Sequence, residues 1–498
     1  MSILDIIVVI AYVLMCVLLG ARAGRNAKGL KGYFLSESDV PTWAVMISIV
    51  ATETSSATFL SVPGVAFGSN FNYLQLAVGY IFGRILVAEF LLPAYFKQSI
   101  ISAYEVLQTR FGSGVKTLAS GMFLITRTLG DGLRLFLAAK VIEQLLVQSG
   151  LIAAGHPLIM PIAIAIMGLA TIVYTYLGGM SAVIWTDVAQ FFIYIAGAII
   201  AFWLIVGDIP GGWNGYFTEG SAAGKFSMWN WKWDLTQPFT IWAGVVGGMI
   251  LNMATHGADQ MMVQRYLSAR SQKQAAVALI TSGLVVFLQF ALFLAIGAAL
   301  WVRAQHVPDG AGLKGDAVFV HFIVGNLPVG VLGLVVSALL AAAMSTLSSS
   351  LSASSSALVR DFLQPMAGDK VDEDRWIGIS RGMTIVFGLL QMAVAWWATG
   401  LQESVVNNAL AIASFVTGII LGIFCLGLAF EKVGPRAALF GMICGLAAVS
   451  YVKFGTDTAW PWFALVGSTT VIVTGLTASN ILPERQDSNE TSAQSGVA

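Results

Sequence analysis

The sequence predicts an all-α protein that crosses a membrane many times. Of its 498 residues, 57% are hydrophobic and only 10% are charged, whereas a soluble domain carries about 25% charged residues. Apolar runs approach or exceed the roughly 20 residues that a membrane helix needs. We therefore expect about 13 transmembrane helices, a lipid bilayer around them and no nucleic-acid partner. The runs cover about residues 3–22, 43–68, 73–96, 117–149, 157–177, 181–206, 239–262, 273–302, 317–359, 376–398, 404–430, 435–453 and 459–482.

The ends of the chain differ in character. The first run begins with acidic Asp5 and is followed by Arg22 and Arg25. A signal peptide has the opposite flanks, so we expect this helix to be retained. The polar residues 484–498 predict a disordered tail. The three cysteines all lie in apolar runs and indicate neither a disulfide framework nor a metal site.

The distribution of Lys and Arg predicts the orientation. With the loop after the first run placed inside, 17 of the 26 basic residues fall in inner loops and 5 in outer loops. By the positive-inside rule, the N-terminus is outside and the C-terminus is in the cytoplasm. We expect a multi-pass protein of the inner (plasma) membrane, in which the Trp-rich residues 207–238 form an outer interfacial segment.

The segment 49–59 interrupts an apolar run with polar residues. Six of the seven residues from Thr52 to Thr58 are polar, and Glu53 is ionisable. A carboxylate at membrane depth costs about 2.5–3.5 kcal/mol on insertion scales, so it is usually functional. Hydroxyl side chains compete for backbone hydrogen bonds, and Pro63 weakens the helix further. The pattern predicts a helix broken near mid-membrane, with free carbonyls; the alternative is a polar cluster that only packs helices.

A second polar cluster lies in the run 317–359. Ser345, Ser348, Ser349 and Ser352 recur at i, i+3, i+4 and i+7 and so share one helix face. Such a stripe also packs helices closely in lipid. Hydroxyls beside free carbonyls are nevertheless what a dehydrated sodium ion requires. Asp187, in another run, supplies a carboxylate, unless it only makes a structural hydrogen bond.

The run 239–262 holds a third cluster. Gly257 stands between His256 and Asp259, which predicts a second helix break. His256, Asp259 and Gln260 are candidates for binding or gating, although a lone His is more often a hydrogen-bonded core residue.

Charged residues also lie within other runs. Arg127, Asp131 and Arg134 are spaced so that Asp131 can pair with either arginine. The remaining positive charge would meet an anionic solute or Glu53. Arg84 and Glu89 are expected to form a structural pair.

From the first run to the last, the chain resembles the sodium:solute symporter family. Four motifs carry the resemblance and occur in the expected order. They are Ala51-Thr52-Glu53-Thr54-Ser55-Ser56, Tyr174-Thr175-Tyr176-Leu177-Gly178-Gly179 with Trp185-Thr186-Asp187, Asp259-Gln260 with Val263-Gln264-Arg265-Tyr266, and Ala342 through Ser349.

The resemblance implies a leucine-transporter-type fold, in which five helices are followed by an inverted copy of five. The broken helices near Glu53 and Gly257 would then be repeat mates. The implied organisation is an extra helix and cytoplasmic loop at 1–42, repeats at 43–206 and 239–430 around the outer loop 207–238, two final helices at 431–483, and the tail 484–498.

The resemblance also implies ion and solute sites. The principal sodium site would use the carbonyls of Ala51, Thr54 and Ala342 and the hydroxyls of Ser345 and Thr346. A second sodium site would use Asp187, Ser345, Ser348 and Ser349. The solute would lie against Glu53, Ser55 and Thr58.

One position departs from the sialic acid carriers of this family. Those carriers hold the substrate carboxylate with an arginine in the fourth helix. Gly130 occupies that register here, and Arg134 follows one turn later. This departure argues against an identical anionic substrate, and it leaves Arg134, His256, Asp259 and Gln260 as further candidates for solute contact.

We therefore expect a sodium-coupled symporter, not an enzyme, that imports a small polar solute by alternating access. The solute class stays open among sugars, amino acids, carboxylates and vitamins. Proton coupling through Glu53 or Asp187 is the main alternative. A cation channel would need a continuous polar pore. An intramembrane hydrolase would need a nucleophile motif, and Gly-x-Ser-x-Gly does not occur.

Overall fold

The computed structural model describes residues 2–481 except 24–28, 37–39, 99, 149, 151, 154, 308–311, 314, 316, 368–370 and 402. The expected disordered tail, 484–498, lies outside the described residues. Within them the protein is helical, with a single isolated bridge between Val40 and Ala269 in place of a sheet.

Among the described residues, nine α-helices lie in the first half of the chain and ten in the second. In order, they are α1 Ile3–Ala23, α2 Gly29–Leu35, α3 Thr42–Glu53, α4 Ser56–Gly68, α5 Leu74–Leu86, α6 Leu92–Lys97, α7 Glu105–Gln148, α8 Ile159–Gly207 and α9 Gly212–Ala222. They continue as α10 Gly248–Gly257, α11 Gln260–Leu267, α12 Gln272–His306, α13 Ala317–Asn326, α14 Val331–Leu358, α15 Gln364–Ala367, α16 Glu373–Ala398, α17 Glu403–Ala429, α18 Pro435–Gly455 and α19 Phe463–Ile481.

The number of membrane spans depends on how bent helices are counted. Among the described residues, 8 helices are long and apolar enough to cross a bilayer, or 9 when α3 and α4 count as one bent span. The expected total of 13 is therefore not confirmed. One reason is α8, which contains two of the expected runs and turns between them at Gly179, where φ is 55°.

The expected run 317–359 is not one long helix. It divides into α13 and α14, because the chain turns at Gly330 with φ at 86°.

Asp5, at the start of α1, caps α14 from another part of the chain. Its Oδ1 accepts hydrogen bonds from the N–H groups of Gly330 at 2.7 Å and Gly333 at 2.9 Å. These are donors that the first turn of a helix leaves without an intrahelical partner.

The expected break near Glu53 is present. α3 ends at Glu53, Thr54 and Ser55 adopt extended backbone, and the two helices meet at 63°. Local hydrogen bonds explain the interruption. The Thr54 hydroxyl donates to the carbonyl of Val50 at 3.0 Å, while the Ser55 hydroxyl accepts from the N–H of Thr58 at 3.3 Å and caps α4.

A second break separates α10 from α11, as the sequence predicts. Ala258 and Asp259 leave the helical conformation. The Asp259 side chain accepts from the N–H of Met261 at 2.8 Å, and this hydrogen bond caps the start of α11.

Between the broken helices runs α14, in which every residue from Val335 to Ala357 is buried. Its small Ala and Ser side chains allow neighbouring helices to approach closely.

Candidate functional site

A cavity of about 310 Å³ lies where the two broken helices meet. Six of the seven predicted solute residues line it, together with aromatic and apolar side chains from α5, α7, α11 and α17. Those six are Glu53, Ser55, Thr58, Arg134, His256 and Asp259. The structure therefore gathers residues that are up to about 200 positions apart in the sequence.

Gln260, the seventh, is not among the residues that line the cavity. It is fully buried. Its carbonyl accepts from the N–H of Ala103 at 2.7 Å, and its amide donates to the carbonyl of Ile101 at 2.9 Å and to Ser356 Oγ at 3.0 Å. Gln260 thus joins the start of α11 to α14 and to the segment that precedes α7.

Glu53 is paired with an arginine of α5. The Arg84 guanidinium is completely buried and contacts the Glu53 carboxylate; it also donates to Ser282 Oγ at 2.9 Å. His256 Nε2 lies 3.3 Å from Arg84 Nη2 and 3.6 Å from Glu53 Oε2. The expected pairing of Arg84 with Glu89 is wrong, because Glu89 is exposed.

The charged residues of α7 form a second network. Arg127 contacts Asp259 and lies 3.6 Å from Asp131 Oδ2, and Arg134 also contacts Asp131. Asp131 therefore pairs with both arginines, as its spacing predicts. The Arg134 side chain is 40% exposed, against 13% for Arg127. Arg134 is thus the more accessible of the two cations beside the cavity.

The residues of the predicted principal sodium site lie where the end of α3 meets α14. Ala51, Thr54, Ala342 and Ser345 are fully buried. The Thr346 hydroxyl lies 3.2 Å from the carbonyl oxygen of Thr52 and 3.4 Å from that of Ala342. Because α3 ends at Glu53, the carbonyls of its last turn lack helical partners. The site therefore combines hydroxyls with backbone oxygens away from bulk water.

Asp187 lies in a second polar cluster beside the contact between α3 and α14, and the two groups share Ser345. Its carboxylate accepts from Ser345 Oγ at 2.6 Å and from Ser48 Oγ at 2.6 Å. Ser349 belongs to the same cluster, since its hydroxyl lies 3.2 Å from Thr52 Oγ1. The Ser348 hydroxyl instead donates to the carbonyl of Ser345 at 3.1 Å.

Arg265 is a residue of this cluster that the sequence analysis did not place in a site. The positive-inside count includes it among the 17 inner-loop charges, but it is fully buried on α11. Its Nη2 lies 3.0 Å from Asp187 Oδ2 and also contacts Ser349, while its Nε donates to Ser48 at 2.9 Å. A signal was present, because Arg265 follows the second break within one of the motifs that carry the family resemblance.

This fold and site define an ion-coupled membrane transporter of the broken-helix type. Residues 33–445 match the model of the Sodium:solute symporter family. The sodium/sialic acid symporter SiaT of Proteus mirabilis is 30% identical over 499 residues, covering 97% of each chain. Human sodium-coupled monocarboxylate transporter 1 is 28% identical over 446 residues, covering 88% of this chain and 70% of that protein.

Solved structures of transporters also resemble this chain. A substrate-bound, outward-open Na⁺-coupled sialic acid symporter superposes with a TM-score of 0.88 at 28% identity, covering 97% of this chain and 98% of that one. The nucleobase-cation-symport-1 transporter Mhp1 shares the fold at a TM-score of 0.58 and 14% identity, covering 92% of this chain and 95% of that one. The chain belongs to the sodium:solute symporter family.

Family membership settles the general activity. The protein is a multi-pass membrane transporter with the leucine-transporter-type fold. It is a secondary active symporter that uses Na⁺ as its coupling ion, imports a small solute by alternating access and is not an enzyme.

The Glu53–Arg84 pair should show strong energetic coupling. Glu53→Gln leaves Arg84 charged and buried, which should cost about 3–5 kcal/mol. The double variant Glu53→Gln with Arg84→Gln removes both charges and should melt closer to the unmodified protein than either single variant does. Thermal melting of the purified proteins measures this, with Glu89→Gln as the exposed control. Additive losses in the double variant would contradict the pairing.

Proposed function

We propose that the cavity at the two helix breaks is the solute site of this symporter, and that the adjoining α3–α14 contact is its principal sodium site. The meeting of a broken backbone with a hydroxyl-bearing helix carries this proposal. Sodium is a hard cation that prefers oxygen ligands, and discontinuous helices supply them in this class of transporter. Each ion that enters down a membrane potential contributes about 2.3 kcal/mol per 100 mV.

The principal site is formed by the carbonyls of Ala51, Thr54 and Ala342 and the hydroxyls of Ser345 and Thr346. The Thr346 contact with the Thr52 carbonyl supports this assignment, because it brings α3 and α14 within reach of one ion. The ion joins the two helices. Glu53, which belongs to the solute site, lies between the sodium ligands Ala51 and Thr54 in the sequence. Sodium thereby favours the arrangement that binds solute, as coupling requires.

The Asp187 cluster serves as a second sodium site in our proposal, with the predicted ligand set and one further condition on Arg265. Arg265 already supplies a positive charge beside Asp187 at 3.0 Å. Two cations so close together repel strongly in a low-dielectric interior. A sodium ion held by Asp187, Ser345, Ser348 and Ser349 therefore requires the guanidinium of Arg265 to move away from the carboxylate.

The solute in this proposal is a small carboxylate that also carries hydroxyl or amide groups. Arg134 lines the cavity one turn after Gly130, which lines it too; its guanidinium contacts Asp131, but its side chain is 40% exposed and offers its remaining N–H donors to a solute carboxylate. Glu53 is neutralised by Arg84, which disfavours a cationic solute. Ser55, Thr58, His256 and Asp259 offer hydrogen bonds to the polar groups. Relatives described as sialic acid and monocarboxylate transporters support this class.

The orientation follows from the distribution of basic residues. Among the described residues, Lys116 and Arg265 of the inner set and Lys225 and Arg303 of the outer set are buried, and removing these four leaves 15 inner against 3 outer charges. The N-terminus is then outside and the C-terminus is cytoplasmic. The Trp-rich segment 207–238 and α13 consequently lie on the outer side of the plasma membrane.

Removal of the two hydroxyls tests the principal site. Ser345→Ala with Thr346→Ala should raise the sodium concentration for half-maximal uptake at least several-fold, because water does not cheaply replace ligands in a buried site. Uptake into proteoliposomes is the measurement. Ser354→Ala, a buried serine on the same helix, should leave the sodium requirement unchanged. Unchanged sodium activation in the double variant, or equal activation by a proton gradient, would refute the assignment.

Ion stoichiometry tests the second site. Uptake by the unmodified protein should depend sigmoidally on sodium, and Asp187→Asn should reduce the Hill coefficient to about one while uptake stays sodium-driven. Charge movement per solute, recorded alongside, should fall by one elementary charge. Ser348→Ala should flatten the curve partially. A Hill coefficient of one in the unmodified protein would leave Asp187 as the structural partner of Arg265.

A ligand screen tests the solute class. Purified protein in sodium should be stabilised against heat by small hydroxy- or amido-carboxylates and not by their neutral amides. Arg134→Gln should abolish this stabilisation, because a carboxylate loses its charged partner. Arg134→Lys should retain it in part, and Lys140→Gln on the same helix is the control. Equal stabilisation by acids and amides would contradict a carboxylate site.

A further inference from the structure

Lys225, in the segment after α9, is bound to the far end of α4. Its ammonium group donates to the carbonyls of Phe67 at 2.8 Å and Ser69 at 2.9 Å, and lies 3.3 Å from that of Ala66. It also sits 4.5 Å from the centre of the Trp301 ring on α12. Only 6% of the residue is exposed.

This contact completes the end of α4. The last carbonyls of a helix lack intrahelical partners and carry the negative end of its dipole. An ammonium has three donors, and Lys225 directs them to three such oxygens more than 150 residues earlier in the sequence. The Trp301 ring adds a cation–π attraction.

The other end of α4 belongs to the cavity. Ser55 and Thr58 line it, and the next residue, Phe59, is completely buried between the rings of Phe293 and Phe319 at 5.4 and 5.7 Å. These aromatic side chains pack α4 against α12 and α13, and none of the three lines the cavity. Because α4 has only 13 residues, a displacement at its far end moves Ser55 and Thr58 as well.

The segment that carries Lys225 is fastened to α12. Asp208 accepts from Arg303 Nε at 3.0 Å, and Glu219 lies 2.9 Å from His306 Nε2. Both partners belong to the end of α12, which also carries Trp301. The segment 208–226 thus holds α12 through the Asp208–Arg303 ion pair and the Glu219–His306 contact, and it holds α4 through Lys225. We name it the outer strap.

We propose that Lys225 is a positioning residue of the transport cycle: through the outer strap it holds α4 against α12 while the outer side is closed, and it leaves the α4 carbonyls when that side opens. This inference rests on the proposed solute site and orientation. Loss of the contact favours the outward-open arrangement, so solute and sodium arriving from outside find their sites more readily.

Burial lowers the pKa of Lys225 to about 8. The ammonium is therefore present below pH 8 and is lost as the outer pH rises through that value, which weakens the contact. Other charged or titratable groups on the surrounding elements are Tyr216 and Glu219 of α9, Arg303 and His306 of α12, Asp208, and His321 of α13. The sequence of α4 contains no titratable residue.

Three variants in proteoliposomes, with the outer pH varied from 7 to 9.5, test the proposal. In the unmodified protein, the outer sodium concentration for half-maximal uptake should fall several-fold as the pH rises. Lys225→Met should show the low, alkaline value at every pH. Lys225→Arg keeps its charge and should show the high value throughout. Lys232→Met, at an exposed loop lysine, should follow the unmodified profile.

The outcomes distinguish a failure of the role of Lys225 from a failure of the proposed function. Sodium-driven uptake at pH 7 in the unmodified protein, together with one shared pH profile for all variants, overturns the role of Lys225 and leaves the proposed function intact. Absence of sodium-driven uptake would instead remove the proposed function. If Lys225→Met fails to fold, Lys225→Arg decides alone: a flat profile supports the proposal and an unmodified one overturns it. A fall in the protection factors of the amides of residues 65–69 between pH 7 and pH 9.5, measured by hydrogen exchange and corrected for the intrinsic rate at each pH, would give independent support.

Discussion

Backbone that leaves a helix inside a bilayer must find its hydrogen-bond partners within the protein, because lipid offers none. This constraint governs the centre of the molecule. The break at Thr54 and Ser55 is tolerated because α14 places hydroxyl groups against it. In turn, α14 can be polar only because every residue from Val335 to Ala357 is buried by neighbouring helices. The broken helix and the serine-rich helix therefore depend on each other.

Buried carboxylates, like the backbone groups at the breaks, also find their partners within the protein. In the described part of the bundle, the carboxylates of Glu53, Asp131, Asp187 and Asp259 each contact or approach an arginine. Such pairs often add little net stability, but losing one partner is costly. They nevertheless allow a charged site to persist when no ligand is bound. Arg265 does this at Asp187, and Arg84 does it at Glu53.

Local composition was sufficient to predict much of this centre. The polar residues around Glu53 indicated the first break, Gly257 with Asp259 indicated the second, and hydroxyl spacing indicated the face of α14 that meets α3 and Asp187. The tertiary partners could not be predicted. Arg84 and Glu89 are five residues apart and do not share a helix face, and the true partner, Glu53, is 31 positions away. The positive-inside count assigned Arg265 to an inner loop from its position in the sequence. Its burial depends instead on how α11 packs against its neighbours in the folded protein.

The capping of α14 by Asp5 has a geometric consequence for how the bundle can move. One carboxylate oxygen is held by two N–H groups of the first turn, at Gly330 and Gly333, so α14 has a fixed height and a fixed rotation relative to α1. A shift of one residue would lift the helix by about 1.5 Å and turn it by about 100°. That turn would carry the Ser345 and Ser349 face away from α3. Sliding or turning of α14 past α1 would therefore break both hydrogen bonds, so the two helices keep one register as long as Asp5 holds them.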